Sequence, residues 1–155
     1  MTTVKKALTG LLLIMIAAQF YRPAQNSNPS DMPNHISKVV VIPAKVAGIL
    51  KKACYDCHSN NTKYPWYAQI QPVNWYINKH IEAAKAQLNF GNFKEYTTRK
   101  KMSKLRAIEN SLEDGTMPIT SYTLIHKGAI LSEDEKQLVI AWIAALREGL
   151  EKNQF

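Results

Sequence analysis

Residues 54–59 read Cys-Tyr-Asp-Cys-His-Ser, and Cys54 and Cys57 are the only two cysteines in the chain. Two thiols three positions apart lie on one side of a helical turn, and His58 follows the second at once. This spacing is the attachment pattern for c-type haem: both sulfurs reach one porphyrin edge, and the imidazole reaches the iron. Other chemistry uses the same residue types. A thioredoxin-like dithiol belongs beside a βαβ unit, and the sequence has no such pattern. A zinc site could take both thiolates and His58, yet it needs a fourth ligand and the chain offers no second cysteine pair.

A sixth ligand would decide what such an iron can do. Met117, in Gly-Thr-Met-Pro, is the leading candidate: a soft thioether in a loop before the last helix, with Pro118 fixing the backbone beside it. Its bland alternative is core filling. His126 follows as second candidate, and two histidine ligands would lower the potential that a methionine raises. His80 is third, because a histidine beside an apolar helical stripe is more often a hydrogen-bonded core residue. His35 lies in a polar stretch and is not expected to take part. The cluster Tyr64-Pro-Trp66-Tyr67 has two readings, as rings lining a haem or as packing for a long loop.

The elements that must hold these groups read as helices. Val46, Ile49, Leu50 and Ala53 recur on one face after Pro43 and lead into Cys54. Val73, Ile77, Ile81, Ala84 and Leu88 mark a second helix from about Pro72. Met102, Leu105, Ile108 and Leu112 mark a third from about Thr98 to Asp114, with Gly115 suited to its end. Ser132-Glu-Asp-Glu135 is a capping box that opens a fourth, striped by Leu138, Val139, Trp142, Ile143, Leu146 and Leu150. Lys38–Ile42 favours a short extended lead-in. The connectors 58–71 and 116–131 are long enough to need something to wrap around. The expected class is all-α.

The remaining stretches bear on location. Lys5 and Lys6 precede an apolar run from Ala7 to Ala18, the layout of an export signal or a short membrane anchor over residues 1–22, with Phe20, Tyr21 and Arg22 at the interface. Residues 23–37 hold three Pro, three Asn and three Ser, which reads as a flexible linker. The functional domain is then 38–155, on the outer side of the inner membrane. Net charge is +8, from 20 Lys and Arg against 12 Asp and Glu. The basic run Arg99-Lys-Lys101 with Lys104 and Arg106 suits a solvated helix face or a dock for an acidic redox partner. No recognition motif accompanies the charge, so nucleic acid is not an expected partner.

The chain resembles the single-haem "haem-binding domain" family of bacterial c-type haem proteins. Cys54–Ser59, Thr62-Lys-Tyr-Pro-Trp-Tyr67, Ile70-Gln-Pro-Val-Asn-Trp75, His80-Ile81, Leu88-Asn-Phe90, Met117-Pro118, Tyr122, His126 and Trp142 carry the resemblance, which spans most of the sequence. It implies a cytochrome c-like bundle of about four helices around one covalently attached haem, with no established catalytic reaction. A looser similarity to small soluble cytochromes c implies that the first and last helices cross closely, with Ala47 or Gly48 permitting the approach. The function expected is one-electron transfer. The alternative is a haem peroxidase or a gas or redox sensor with an open sixth position, in which His126 or His80 would act as acid and base.

Overall fold

The computed structural model describes residues 2–28 and 32–152. Every regular element among them is helical. Seven α-helices run in chain order: α1 Thr3–Ala18, α2 Ala44–Ala53, α3 Tyr55–His58, α4 Val73–Gln87, α5 Thr98–Glu113, α6 Thr120–Thr123 and α7 Glu133–Lys152. Short 3-10 turns at Ile36–Lys38, Trp66–Gln69, Phe90–Glu95 and Lys127–Ala129 fill the connectors. Residues 38–42 form a bend rather than a strand, since no second extended segment lies alongside to pair with them among the described residues.

Local chemistry accounts for the helix limits. At the start of α7 the Ser132 hydroxyl accepts the Glu135 amide at 3.2 Å, and the Glu135 carboxylate accepts the Ser132 amide at 3.0 Å. This is the reciprocal capping box, and Glu133 and Asp134 add negative charge at the positive helix end. Thr97 caps α5 through the Lys100 amide. That helix stops at Gly115, whose φ of 65° is the left-handed conformation a glycine adopts without steric cost.

The core joins α2, α5 and α7. Val46, Ile49 and Leu50 from α2 meet Val139 and Ile143 from α7, with Leu105 and Leu112 from α5 beside them. Ile143, Leu105 and Val46 have no exposed surface, and burying an aliphatic side chain of that size contributes about 1.5–3 kcal/mol. Phe90 and Phe93 close the far end of the same cluster. The first and last helices of the bundle do pack together, but not through Gly48. A Cβ there would meet nothing within 4 Å, so the approach is made by Val46, Ile49 and Leu50 instead.

Residues 23–37 depart from the expected linker wherever they are described. Asn26 is bonded on every side. Its amide donates to the Tyr64 hydroxyl at 2.9 Å, its Nδ2 donates to Ser59 O and Thr62 Oγ1, and its carbonyl oxygens accept from Lys85 Nζ and the Thr62 amide. Ile36 is wholly buried in the main core, and the His35 ring meets Tyr55 edge-on at 5.2 Å. Low average hydropathy hid one aliphatic anchor and one saturated amide. In contrast, α1 buries none of its residues.

Asn26→Ala removes the side-chain half of this strap, the bonds to Ser59 O, Thr62 Oγ1 and Lys85 Nζ, and keeps the two backbone bonds. It should lower unfolding free energy by about 1–3 kcal/mol in a denaturant titration; an unchanged midpoint would show that the strap contributes nothing.

Candidate functional site

The Cys-x-x-Cys-His motif occupies α3 and the residue before it. Cys54 leaves the α2 geometry, with φ −124° and ψ −44°, and its carbonyl accepts the amides of Cys57 at 3.2 Å and His58 at 2.9 Å. The motif is thus one closed turn set at an angle to α2, as the spacing predicts. Both thiols are free. Burial pushes the Cys54 thiol up to about 12 and the Cys57 thiol up to about 11, with Cys57 and Asp56 respectively adding to the effect. Redox-active dithiols and zinc thiolates need the opposite shift. No group of three or more His, Cys, Asp or Glu side chains is placed to hold a metal ion among the described residues. The zinc alternative has no ligand cluster among the described residues, and burial disfavours the thiolate that a reactive dithiol uses.

The His58 ring is held by the end of α4. Its Nδ1 lies 3.1 Å from Ala84 O and 3.0 Å from Leu88 O, so an Nδ1–H donates to both carbonyls and the Nε2 lone pair is left unprotonated. Ala84 O also accepts the Leu88 amide at 2.8 Å, so it is shared between the helix cap and the imidazole, and Leu88 O belongs to the cap residue just past α4. His58 lies below the ordinary imidazole value, because burial outweighs the two carbonyl bonds that pull upward. A neutral, oriented imidazole is the form that binds a metal.

His58 and Cys54 line an apolar cleft of about 260 Å³. Leu50, Leu88 and Phe90 form one part of its wall, and Ile108, Leu112 and Met117 another. The polar side chains on it are few: Cys54 and His58, with Gln87, Lys104 and Ser111. Met117 is placed by the reversal at Gly115. The amides of Thr116 and Met117 donate to Ser111 O at 3.0 and 3.2 Å, which folds the loop back over the end of α5. A thiol, an oriented imidazole and a thioether therefore share one greasy cleft, a donor set that fits a c-type haem. Cys57 sits on the same turn but not on the cleft wall itself.

The remaining candidates lie elsewhere. Tyr64 donates to Asn78 Oδ1 at 2.9 Å and serves the Asn26 strap. Trp66 is 78% exposed. Tyr67 and His126 share a hydrogen bond of 2.7 Å between the hydroxyl and Nε2, and the His126 ring stacks on Tyr122 at 4.2 Å. The Tyr122 hydroxyl donates to Asp56 Oδ2 at 2.7 Å, and burial with that bond raises its pKa well beyond the usual phenol range. This chain braces α3 from the face away from the cleft. His80 lies against its own helix, with Nδ1 2.9 Å from Tyr76 O and its ring 4.1 Å from that of Tyr76. Sequence reasoning missed Asp56 and Tyr122 as a brace, Lys104 on the cleft, and the two α4 carbonyls. Asp56 stood inside the motif, but backbone carbonyls leave no mark in a residue string.

An all-α domain with this cleft belongs to the class of haem-binding proteins. Residues 13–145 match the haem-binding domain family, and the chain is a member of it. It is also 30% identical over 107 residues to cytochrome c peroxidase Ccp of Escherichia coli (strain K12). That alignment takes 66% of this chain but only 23% of the relative, so the chain spans less than a quarter of that protein's length. No solved structure matches the chain.

His35 and His58 both lie below the ordinary value of 6.5, His35 through burial and then the nearby Lys38 charge. Each ring stays neutral in the fold at pH values where the unfolded chain binds a proton, so stability rises with pH across that window. The cofactor-free chain should keep its Tm above about pH 7 and lose it progressively as pH falls through 6.5 toward 5. A flat profile over that range would contradict two buried neutral imidazoles.

Proposed function

We propose that this chain is a monohaem c-type cytochrome that passes single electrons and makes no bonds of its own in substrates. The carrying observation is the His58 ring, fixed through Nδ1 by Ala84 O and Leu88 O, in one cleft with Cys54 and Met117. Cys54 and Cys57 are the attachment residues. Thioether bonds from these two sulfurs would hold the cofactor even when the fold breathes. Bound haem supplies an iron centre that gains or loses one electron.

The other roles fall to the chain's own groups. His58 presents Nε2 on one side, and the α4 carbonyls keep the ring from turning. Met117, placed by the Ser111 carbonyl, would hold the iron together with His58, and its thioether would favour the reduced state and keep small molecules out. The apolar wall excludes water, and the Lys104 ammonium is the one positive charge on the wall available to a propionate. Arg99, Lys100 and Lys101 at the start of α5 suit an acidic redox partner, whose electron exchange would slow steeply with added salt. The apolar α1 and its two lysines support placement on the outer side of the inner membrane.

A second reading is peroxide reduction, which draws on the name of the Escherichia coli relative. It needs an acid–base residue beside an open iron position. No histidine other than His58, and no carboxylate, lines the cleft among the described residues, while His126 and His80 are engaged elsewhere. Those placements favour the electron carrier. If this chain takes part in peroxide chemistry, its share is delivery of electrons.

Met117→Ala tests the assignment. The oxidised variant should lose the weak far-red absorption band of methionine–iron ligation, bind carbon monoxide when reduced, and have a lower reduction potential than the parent. An unchanged spectrum would remove Met117 as ligand.

A further inference from the structure

Exposed large apolar side chains occur at several places, Val41 and Leu124–Ile125 among them, and the densest group outside α1 lies just before and along the start of α4. Trp66, Ile70, Val73, Trp75 and Tyr76 all lie within eleven residues, on the turn before α4 and on that helix's first turns. The haem cleft uses none of them. Their neighbourhood is also where α1 joins the domain. Gln19 Oε1 accepts the Gln71 amide at 3.0 Å, Gln71 Nε2 donates to Tyr21 O at 2.9 Å, and Trp75 Nε1 donates to the same oxygen at 3.0 Å. The Tyr21 and Trp75 rings meet edge-on at 6.0 Å. Gln71 itself is buried and also bonds Asn74, so this is a fitted clasp rather than a loose touch.

The clasp removes all slack. Ala18 ends α1, and the next residue, Gln19, is already bonded to the domain. The helix has 16 residues, a length of about 24 Å, against an apolar bilayer thickness of about 30 Å. No helix among the described residues is long and apolar enough to cross a membrane. An apolar helix this short, tied to the domain without a spacer, can enter lipid only by drawing Gln71 and its surroundings onto the surface. Tryptophan and tyrosine are the residues that favour the headgroup layer, where one end is apolar and the other wet. Charge agrees: residues 2–28 and 57–81 carry no Asp or Glu, but do carry Lys5, Lys6, Arg22, Lys63 and Lys79.

We propose that Trp66, Ile70, Val73, Trp75 and Tyr76 form a collar that lies in the headgroup layer of the bilayer, and that the Gln19–Gln71–Tyr21–Trp75 clasp fixes the domain in one orientation on that surface. The proposal rests on the membrane-attached reading of α1 given above. It makes the membrane a second binding partner of the folded domain itself, beyond a tether at its end. The domain cannot tumble freely, so the same face always looks away from the lipid toward redox partners.

The test uses the full-length, haem-loaded protein in vesicles of phosphatidylcholine and phosphatidylglycerol that contain a phospholipid with a diazirine in its headgroup. After irradiation, mass spectrometry maps the label. The collar predicts label on the peptide spanning 66–76 as well as on α1. The triple variant Trp66→Gln, Ile70→Gln, Tyr76→Gln, all at exposed positions, should lose the 66–76 label and keep that on α1. Label confined to α1, with 66–76 no stronger than the α5 peptides, overturns the collar. Absence of label from α1 too would overturn the attached reading and this inference with it. The absorption spectrum of the same sample reports haem attachment separately, so neither result is confused with failure of the haem site.

Discussion

The hydrogen bonds from His58 Nδ1 to Ala84 O and Leu88 O are the constraint around which the site is built. They join the Cys-x-x-Cys-His turn to the end of α4, set the tautomer, and direct Nε2 as the free ring nitrogen. A flexible imidazole would titrate in the ordinary range and sample many rotamers. This one is held neutral by burial and held still by two carbonyl oxygens at the end of α4 and its cap. The cleft, the thiols and the methionine have a use only because that ring is fixed.

Around it the bundle assigns one task to each element. The packing of α2 against α7 buries Val46, Leu50, Val139 and Ile143, which positions the helix leading into Cys54. From the other side, α5 supplies Ile108 and Leu112 to the cleft, and its glycine stop returns the chain so that Met117 joins them. The Asp56–Tyr122–His126–Tyr67 chain braces α3 from the opposite face, tying the motif to the 116–131 connector. The long connectors are thus tied by contacts to the Cys-x-x-Cys-His turn.

Much of this was legible in the sequence because it is local. The capping box at Ser132, the helical stripes and the cysteine spacing each report on residues a few positions apart, and the helix limits they imply lie within a residue or two of those in the structure. Contacts across long separations left weaker marks. Asn26 reads as one more linker asparagine, although it organises Ser59, Thr62, Tyr64 and Lys85; Ile36 was masked by its polar neighbours. The Tyr64–Tyr67 cluster suggested either haem-lining rings or packing for a long loop, and its three aromatics serve a strap, a surface and a brace. Amphipathic side chains suit all of these surroundings, so residue type alone cannot choose among them.

The central claim is a porphyrin joined covalently to Cys54 and Cys57. Extraction of denatured, full-length protein with acidified acetone tests it most directly, because the solvent removes haem held by ligation alone. The account predicts that the colour stays with the polypeptide and that the intact mass exceeds the apoprotein's by one haem. A colourless pellet with the pigment in the solvent would contradict it.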